Sequence, residues 1–224
     1  MKDNEALRLR AGLMALFDSG VVAHDINHLD RVVRNAKLIR ASEAEGDVLV
    51  IVAAAFLHDF HRLLEKRLGR HVSPVEAEPE LREFLRGLDE YDASQVDMVC
   101  SAVNHTEQYV CSGDAIDGHE VSIEAKIVRD ADMLDALGPI GIARAFMFGG
   151  YLREPMWMPG ADQSTKFVHG KSQSVVHHFY EKLFNLKDEM QTRTGRRIAE
   201  RKTAYMRTFI NDLQGDLIGF SEQH

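Results

Sequence analysis

Two cysteines in 224 residues leave no material for a disulfide framework. Cys100 and Cys111 also lack the spacing of a thiolate metal site, so the sequence fits a reducing compartment and a cytoplasmic protein. Proline is scarce, at five residues, and few segments alternate with period two, so extended sheet is not expected. No uncharged apolar run approaches the roughly 20 residues a membrane span needs. The opening stretch MKDNEALRLRAGLMALF threads charges through its apolar residues and does not read as a secretory leader. Basic residues are outnumbered: 27 Lys and Arg against 35 Asp and Glu give a net charge of −8. That balance argues against a surface built to coat nucleic acid. It does not exclude anionic small molecules, because a bound divalent cation reverses the field around itself. No internal repeat or low-complexity tract is present, and no G-x-x-x-x-G-K-[ST] loop exists to cradle phosphate.

What is present is helical periodicity. Residues 3–18 read as an amphipathic helix. Asp25 caps a second helix over 25–44, and Asp47 a third over 47–60. A shorter helix starts near Glu78–Glu80. Asp92 with Gln95 makes a capping box for 92–106. Ser122 opens a helix that runs to about Leu137, where Gly138-Pro139 stops it. Further helices are expected at 141–148, 171–190 and 195–213, with GGYLREPMWMPGADQSTKF as a long loop. The expectation is an all-α protein forming a single compact helical domain over 1–224.

Polar residues interrupt the apolar stripes of these helices. In SIEAKIVRDADMLDAL, Ile123, Ile127, Leu134 and Leu137 recur at helical spacing, and Asp130 completes that stripe; Asp132 lies off it and Asp135 is borderline. His28 shares the face of Val32, Ala36 and Ile39, and His58 stacks over Ile51 and Ala54 with Asp59 beside it. His105 continues Met98 and Ala102. An unpaired buried charge is expensive, so a partner or a metal is required. Two imidazoles and two carboxylates without a thiolate suit Mn²⁺, Fe, Co²⁺, Ni²⁺ or Zn²⁺. The expected ligands are His28, His58, Asp59 and Asp130, which leave open positions for water or a phosphoryl oxygen.

The order His28, His58-Asp59, Asp130 resembles the HD-domain superfamily of metal-dependent phosphohydrolases. The strings HLDRVV, FLHDF, VRDADMLDALGPIGIARAFMFGG and HFYEKLFNLKDEMQTRTGRRIAERKTAYM are similar to those of its YpgQ/YedJ-like bacterial subgroup, across roughly residues 5–212. The resemblance implies a helical fold with the metal site between helices. It also implies a divalent ion, with Mn²⁺ the first expectation and Mg²⁺ among the alternatives. The implied reaction is hydrolysis of nucleotides, nucleoside triphosphate going to monophosphate and pyrophosphate. Phosphomonoesterase or phosphodiesterase action, or a non-catalytic metal- or nucleotide-binding regulator, are the alternatives. The HD-x-x-ED pattern of alarmone hydrolases is missing from HDFHRL, which weighs against that substrate.

Other residues take roles within this reading. Asp59 is expected to bind the metal and accept a proton. His61, one turn beyond His58, reads as a general acid or phosphate contact, or as a solvated residue. His105 and Arg144 are assigned to phosphate, with an ion pair as the other reading of Arg144. His178 and Lys182 are placed near the substrate. Arg31 reads as an ion-pair partner, and the TRTGRRIAERK run as a solvated face. The partner is a small nucleotide rather than nucleic acid or membrane, bound by a monomer or homodimer.

Overall fold

A computed structural model describes residues 9–11, 13, 25–88, 90–107, 121–159 and 172–218. Among them there are helices and turns and no strand. The chain runs through α1 (Ile26–Glu43), α2 (Val48–Leu57), α3 (Phe60–Leu68), α4 (Pro74–Arg86), α5 (Ala93–Thr106), α6 (Ile123–Asp135), α7 (Gly138–Tyr151), α8 (Val175–Glu181), a 3₁₀ segment (Leu183–Glu189) and α9 (Arg193–Ile218). The all-α expectation holds. His24, Cys111 and most of the 3–18 segment lie outside the described residues; Leu9 and Leu13 are helical and buried.

The side chains that start helices are those the sequence marks. Asp25 accepts from the His28 amide, Asp47 from Leu49 and Val50, and Ser122 from Ala125. Asp92 and Gln95 close the capping box reciprocally. Each satisfies amides that the first helical turn leaves without partners.

Several boundaries differ from the sequence reading; among them, α7 continues through Tyr151 into the expected loop and α9 runs on to Ile218. The helix expected over 47–60 breaks at His58 and Asp59, where Asp59 takes φ −94° and ψ 14°, and the chain restarts as α3. The next helix begins at Pro74 rather than near Glu78: Ser73 caps it, Pro74 sits where a missing N–H costs nothing, and Pro79 is accommodated inside. Gly138-Pro139 ends α6 and also begins α7; Gly138 has φ 72°, a left-handed turn that favours glycine. The 171–190 helix is α8 followed by a 3₁₀ segment.

Helix α6 is the central element, touching α1, α2, α5, α7 and α9. Ten of its residues, from Glu124 to Asp135, are buried, including Arg129 and Asp130. Polar ties hold it. Glu124 accepts from the Asp47 amide at 2.9 Å, and Arg129 donates to the Glu189 carbonyl and carboxylate, both at 2.8 Å. Lys202 of α9 caps its far end through the Leu134 carbonyl, at 2.6 Å. Helix α2 is apolar throughout, buried from Val50 to Leu57, and delivers His58 to the side of α6.

Candidate metal centre

His28, on the first turn of α1, and His58, just past α2, meet in the interior, 0% and 3% exposed. The Nδ1 of His28 donates to Asp135 Oδ2 at 2.7 Å, and the Nδ1 of His58 donates to the Ala55 carbonyl at 2.8 Å. Both bonds put the ring proton on Nδ1 and turn the Nε2 atoms inward, where they lie 3.1 Å apart. Two imidazole lone pairs at that distance repel unless a proton or a metal ion lies between them.

Two carboxylates close the group. Asp59 Oδ2 is 3.4 Å from each Nε2, and Asp132 Oδ1 is 3.4 Å from His28 Nε2 and 3.6 Å from His58 Nε2. Ligands about 2.1 Å from one ion and at right angles around it are about 3 Å apart, so His28, His58 and Asp132 are spaced to share a divalent cation, with Asp59 against both histidines. Asp135 completes the arrangement from behind His28. It also accepts from Arg31 Nε at 2.7 Å and from Arg144 Nη1 at 2.9 Å. A carboxylate behind a ligating imidazole fixes its tautomer and orientation.

The electrostatics favour a cation. Burial alone would lower the basicity of His58, but the charges and hydrogen bonds of Asp59 and Asp132 raise it well above the ordinary value. His28 is likewise raised, against burial, by Asp135 and Asp59. Burial works against charge on Asp132 too, yet His58 and His28 hold it well below the usual carboxyl range. The group is therefore built around positive charge at its centre.

Asp130 is not part of it. The stripe assigns Asp130 to the metal, but its Oδ1 accepts from the Gln191 amide at 2.9 Å, and its Oδ2 from the Thr192 amide at 2.8 Å and the Thr192 hydroxyl at 2.6 Å. It anchors the start of α9. Residues 130 and 132 point about 200° apart on a helix, and it is Asp132, off the apolar stripe, that reaches the histidines. The sequence signal was there in the Asp132/Asp135 pair: at i, i+3 both fall on the face that meets α1.

The remaining candidates divide. Arg144, His178 and Lys182 line one cavity of about 210 Å³ with Asp132, whose side chain is 18% exposed and so joins the buried cluster to that space. Phe148, Leu152 and Val175 form its apolar wall. His178 is within 3.2 Å of Glu181 and 3.1 Å of Ser172 Oγ. His105 contacts Gln191 Oε1 at 3.1 Å and is not among the lining residues of this cavity. This Nε2 contact lies at the joint between α5 and the start of α9. His61 is buried, not solvated, and stands beside Asp59 and Glu107. Glu107, which the sequence reading did not single out, closes α5. Arg31 is the ion-pair partner expected of it.

The family model for the HD domain matches residues 25–137, half of the chain. The protein belongs to the HD domain family. It is 29% identical to the uncharacterised protein YpgQ of Bacillus subtilis over 219 residues, covering 98% of this chain and 97% of YpgQ. Among solved structures, a Lactobacillus plantarum protein superposes with a TM-score of 0.77 at 25% identity, covering 97% of this chain and 99% of that one. An HD-superfamily hydrolase of Bacillus thuringiensis superposes at 0.73 with 27% identity, covering 98% and 100%. YpgQ has been crystallised in complex with ADP, and that structure superposes at 0.70 with 28% identity, covering 96% of each chain. Membership makes this chain a metal-dependent phosphohydrolase of the HD type. No helix among the described residues is long and apolar enough to cross a membrane.

Proposed function

We propose that this protein hydrolyses nucleotides, taking nucleoside triphosphates to the monophosphate and pyrophosphate, with a divalent cation, Mn²⁺ first, held by His28, His58, Asp59 and Asp132. The observation that carries the reading is the convergence of two Nε2 atoms 3.1 Å apart, both ring protons engaged elsewhere, with two carboxylates beside them, one of which, Asp132, opens onto a cavity that Arg144, His178 and Lys182 line. The bound cation would supply an acidified water and polarise a phosphoryl oxygen. Each protein group then has a role. Asp59, buried and between both histidines, accepts the proton of the attacking water. Asp135 keeps the His28 proton on Nδ1. Arg144, His178 and Lys182 bind phosphate oxygens and stabilise the charge that grows on them. Phe148, Leu152 and Val175 offer an apolar face to a base. The ADP complex of YpgQ supports a nucleotide as the occupant of this space.

Water adds at the α-phosphorus, the bond to the bridging oxygen breaks, and pyrophosphate leaves. Product analysis of nucleoside mono-, di- and triphosphates incubated with Mn²⁺, using ³¹P NMR, tests the proposal. Equal amounts of monophosphate and pyrophosphate from triphosphates are expected. Orthophosphate as the first product would replace this reading with a phosphatase. Absence of turnover with Mn²⁺, Mg²⁺, Co²⁺ and Ni²⁺ would leave a non-catalytic binder.

A further inference from the structure

Two carboxylates line the cavity beside the proposed centre, Asp132 and Glu154. Asp132 faces the histidines, whereas Glu154 has no part in the roles assigned so far. The end of α7 fixes its place. The Glu154 amide donates to the Gly149 carbonyl at 2.8 Å, which turns the chain back toward the helix. Glu154 Oε1 accepts from the Ser172 amide at 3.3 Å, and among the described residues Oε2 has no hydrogen-bond donor. That second oxygen stands at the apolar wall of the cavity. A Cβ on Gly149 would lie 3.5 Å from Glu154 Oε2 and 2.2 Å from Val175 Cγ2, so the carboxylate and Val175 meet across a residue with no side chain.

We propose that Glu154 reads the base of the bound nucleotide and favours guanine. The proposal rests on the nucleotide reading above and adds to it which base is preferred. A planar base lies against Phe148, Leu152 and Val175, and its edge then falls where Oε2 opens. An ionised carboxylate only accepts hydrogen bonds, and each of its oxygens takes more than one. Guanine offers two neighbouring donors, N1–H and the 2-amino group, which one carboxylate accepts together. Adenine and cytosine each offer a single amino group. The N3–H of uracil is flanked by two carbonyls, which a carboxylate repels. The position suits a base rather than a phosphate. Arg144, held on Asp135, precedes Gly149 by five residues, about 7 Å along the axis of α7. That leaves room for a sugar between phosphates at the metal end and a base edge at Glu154. The expected order of preference is guanine, then adenine and cytosine, then uracil.

The test is isothermal titration calorimetry of the full-length protein with GDP, ADP, CDP and UDP in the presence of Mn²⁺, for wild type and Glu154→Gln. In wild type, GDP should bind about tenfold or more tighter than UDP, because a site built to hydrogen-bond a donor rejects a ligand that lacks it. In Glu154→Gln the Ser172 amide keeps the side-chain oxygen, so the amide NH₂ points where Oε2 stood. A donor there opposes the N–H groups of guanine and suits the carbonyls of uracil. GDP should therefore lose about tenfold or more while UDP gains, which a purely structural Glu154 would not produce. Equal affinity for the four nucleotides in wild type overturns this inference and leaves the nucleotide reading standing; no binding of any of them overturns both. Weakening of all four by the same factor in Glu154→Gln also overturns it and places the carboxylate on the sugar hydroxyls. If Glu154→Gln fails to fold by circular dichroism, the wild-type order decides.

Discussion

Replacing Asp132 by Asn keeps the shape of the side chain and removes one negative charge from the face of the two histidines. Changes behind a metal ligand already cost about 10–100-fold in affinity, so loss of a ligand charge is expected to exceed tenfold. Asp130→Asn should behave in the opposite way. It leaves at least one of the Gln191 and Thr192 donors without its carboxylate partner, which costs about 1–3 kcal/mol where the donor is buried, and it leaves metal content intact. Denaturant unfolding and bound-metal analysis of the two variants separate them; an Asp130→Asn protein that loses the ion would return Asp130 to the site. Cys100 makes another residue-scale case. Burial pushes its thiol up to about 11. Since the thiolate is the reactive form, at pH 8 it is a few hundredfold scarcer than for an ordinary thiol of pKa about 8.5. In a Cys111→Ser background, Cys100 should resist Ellman's reagent until the protein unfolds. The linked stability is full below the unfolded thiol value and falls as pH climbs from there toward 11.

At the scale of elements, the joint between α6 and α9 depends on a residue with no side chain. A Cβ on Gly195 would lie 2.3 Å from Asp130 Oδ2 and 2.7 Å from Thr192 Oγ1. Helix propensity alone favours Gly195→Ala by up to about 1 kcal/mol. The clash is with hydrogen-bonded groups that have nowhere to move, and overpacking typically costs about 1–3 kcal/mol, so net destabilisation is expected in thermal melts. A stabilised Gly195→Ala protein would show that this joint is looser than the structure has it. The same joint explains what could be read from sequence. Caps are local, one side chain and two or three amides, so Asp25, Asp47, Asp92 and Ser122 were legible. The break at His58-Asp59 was not, because an apolar run gives no sign of where a helix yields to place its last residues. Nor was the choice between Asp130 and Asp132. Stripe reasoning assumes a helix with one buried face, whereas α6 is covered on nearly every side, so a buried carboxylate there points to a partner without saying which one. The resemblance identified the family and its reaction class, and its Asp130 differs from the Asp132 that lies beside the histidines in the structure.

For the whole molecule, the proposed centre is a tie between distant parts of the chain: His28 from α1, His58 and Asp59 after α2, and Asp132 from α6. The unfolded chain cannot hold these four groups together, so a cation bound there stabilises the fold by mass action. Free metal at 100 times its dissociation constant contributes about 2.7 kcal/mol. In a chain of this size each kcal/mol raises the melting temperature by about 2–4 °C, which gives an expected rise of roughly 5–10 °C between chelated and Mn²⁺-saturated protein. Asp132→Asn should show little of that rise. Asp130→Asn should show nearly all of it, starting from a lower melting temperature, because its damage lies in the α6–α9 joint and not at the ion. Differential scanning calorimetry of the three proteins, with and without Mn²⁺, makes this comparison in one experiment. Equal shifts in Asp132→Asn and wild type would mean that the stabilising ion binds elsewhere, and the arrangement of His28, His58, Asp59 and Asp132 would need another explanation.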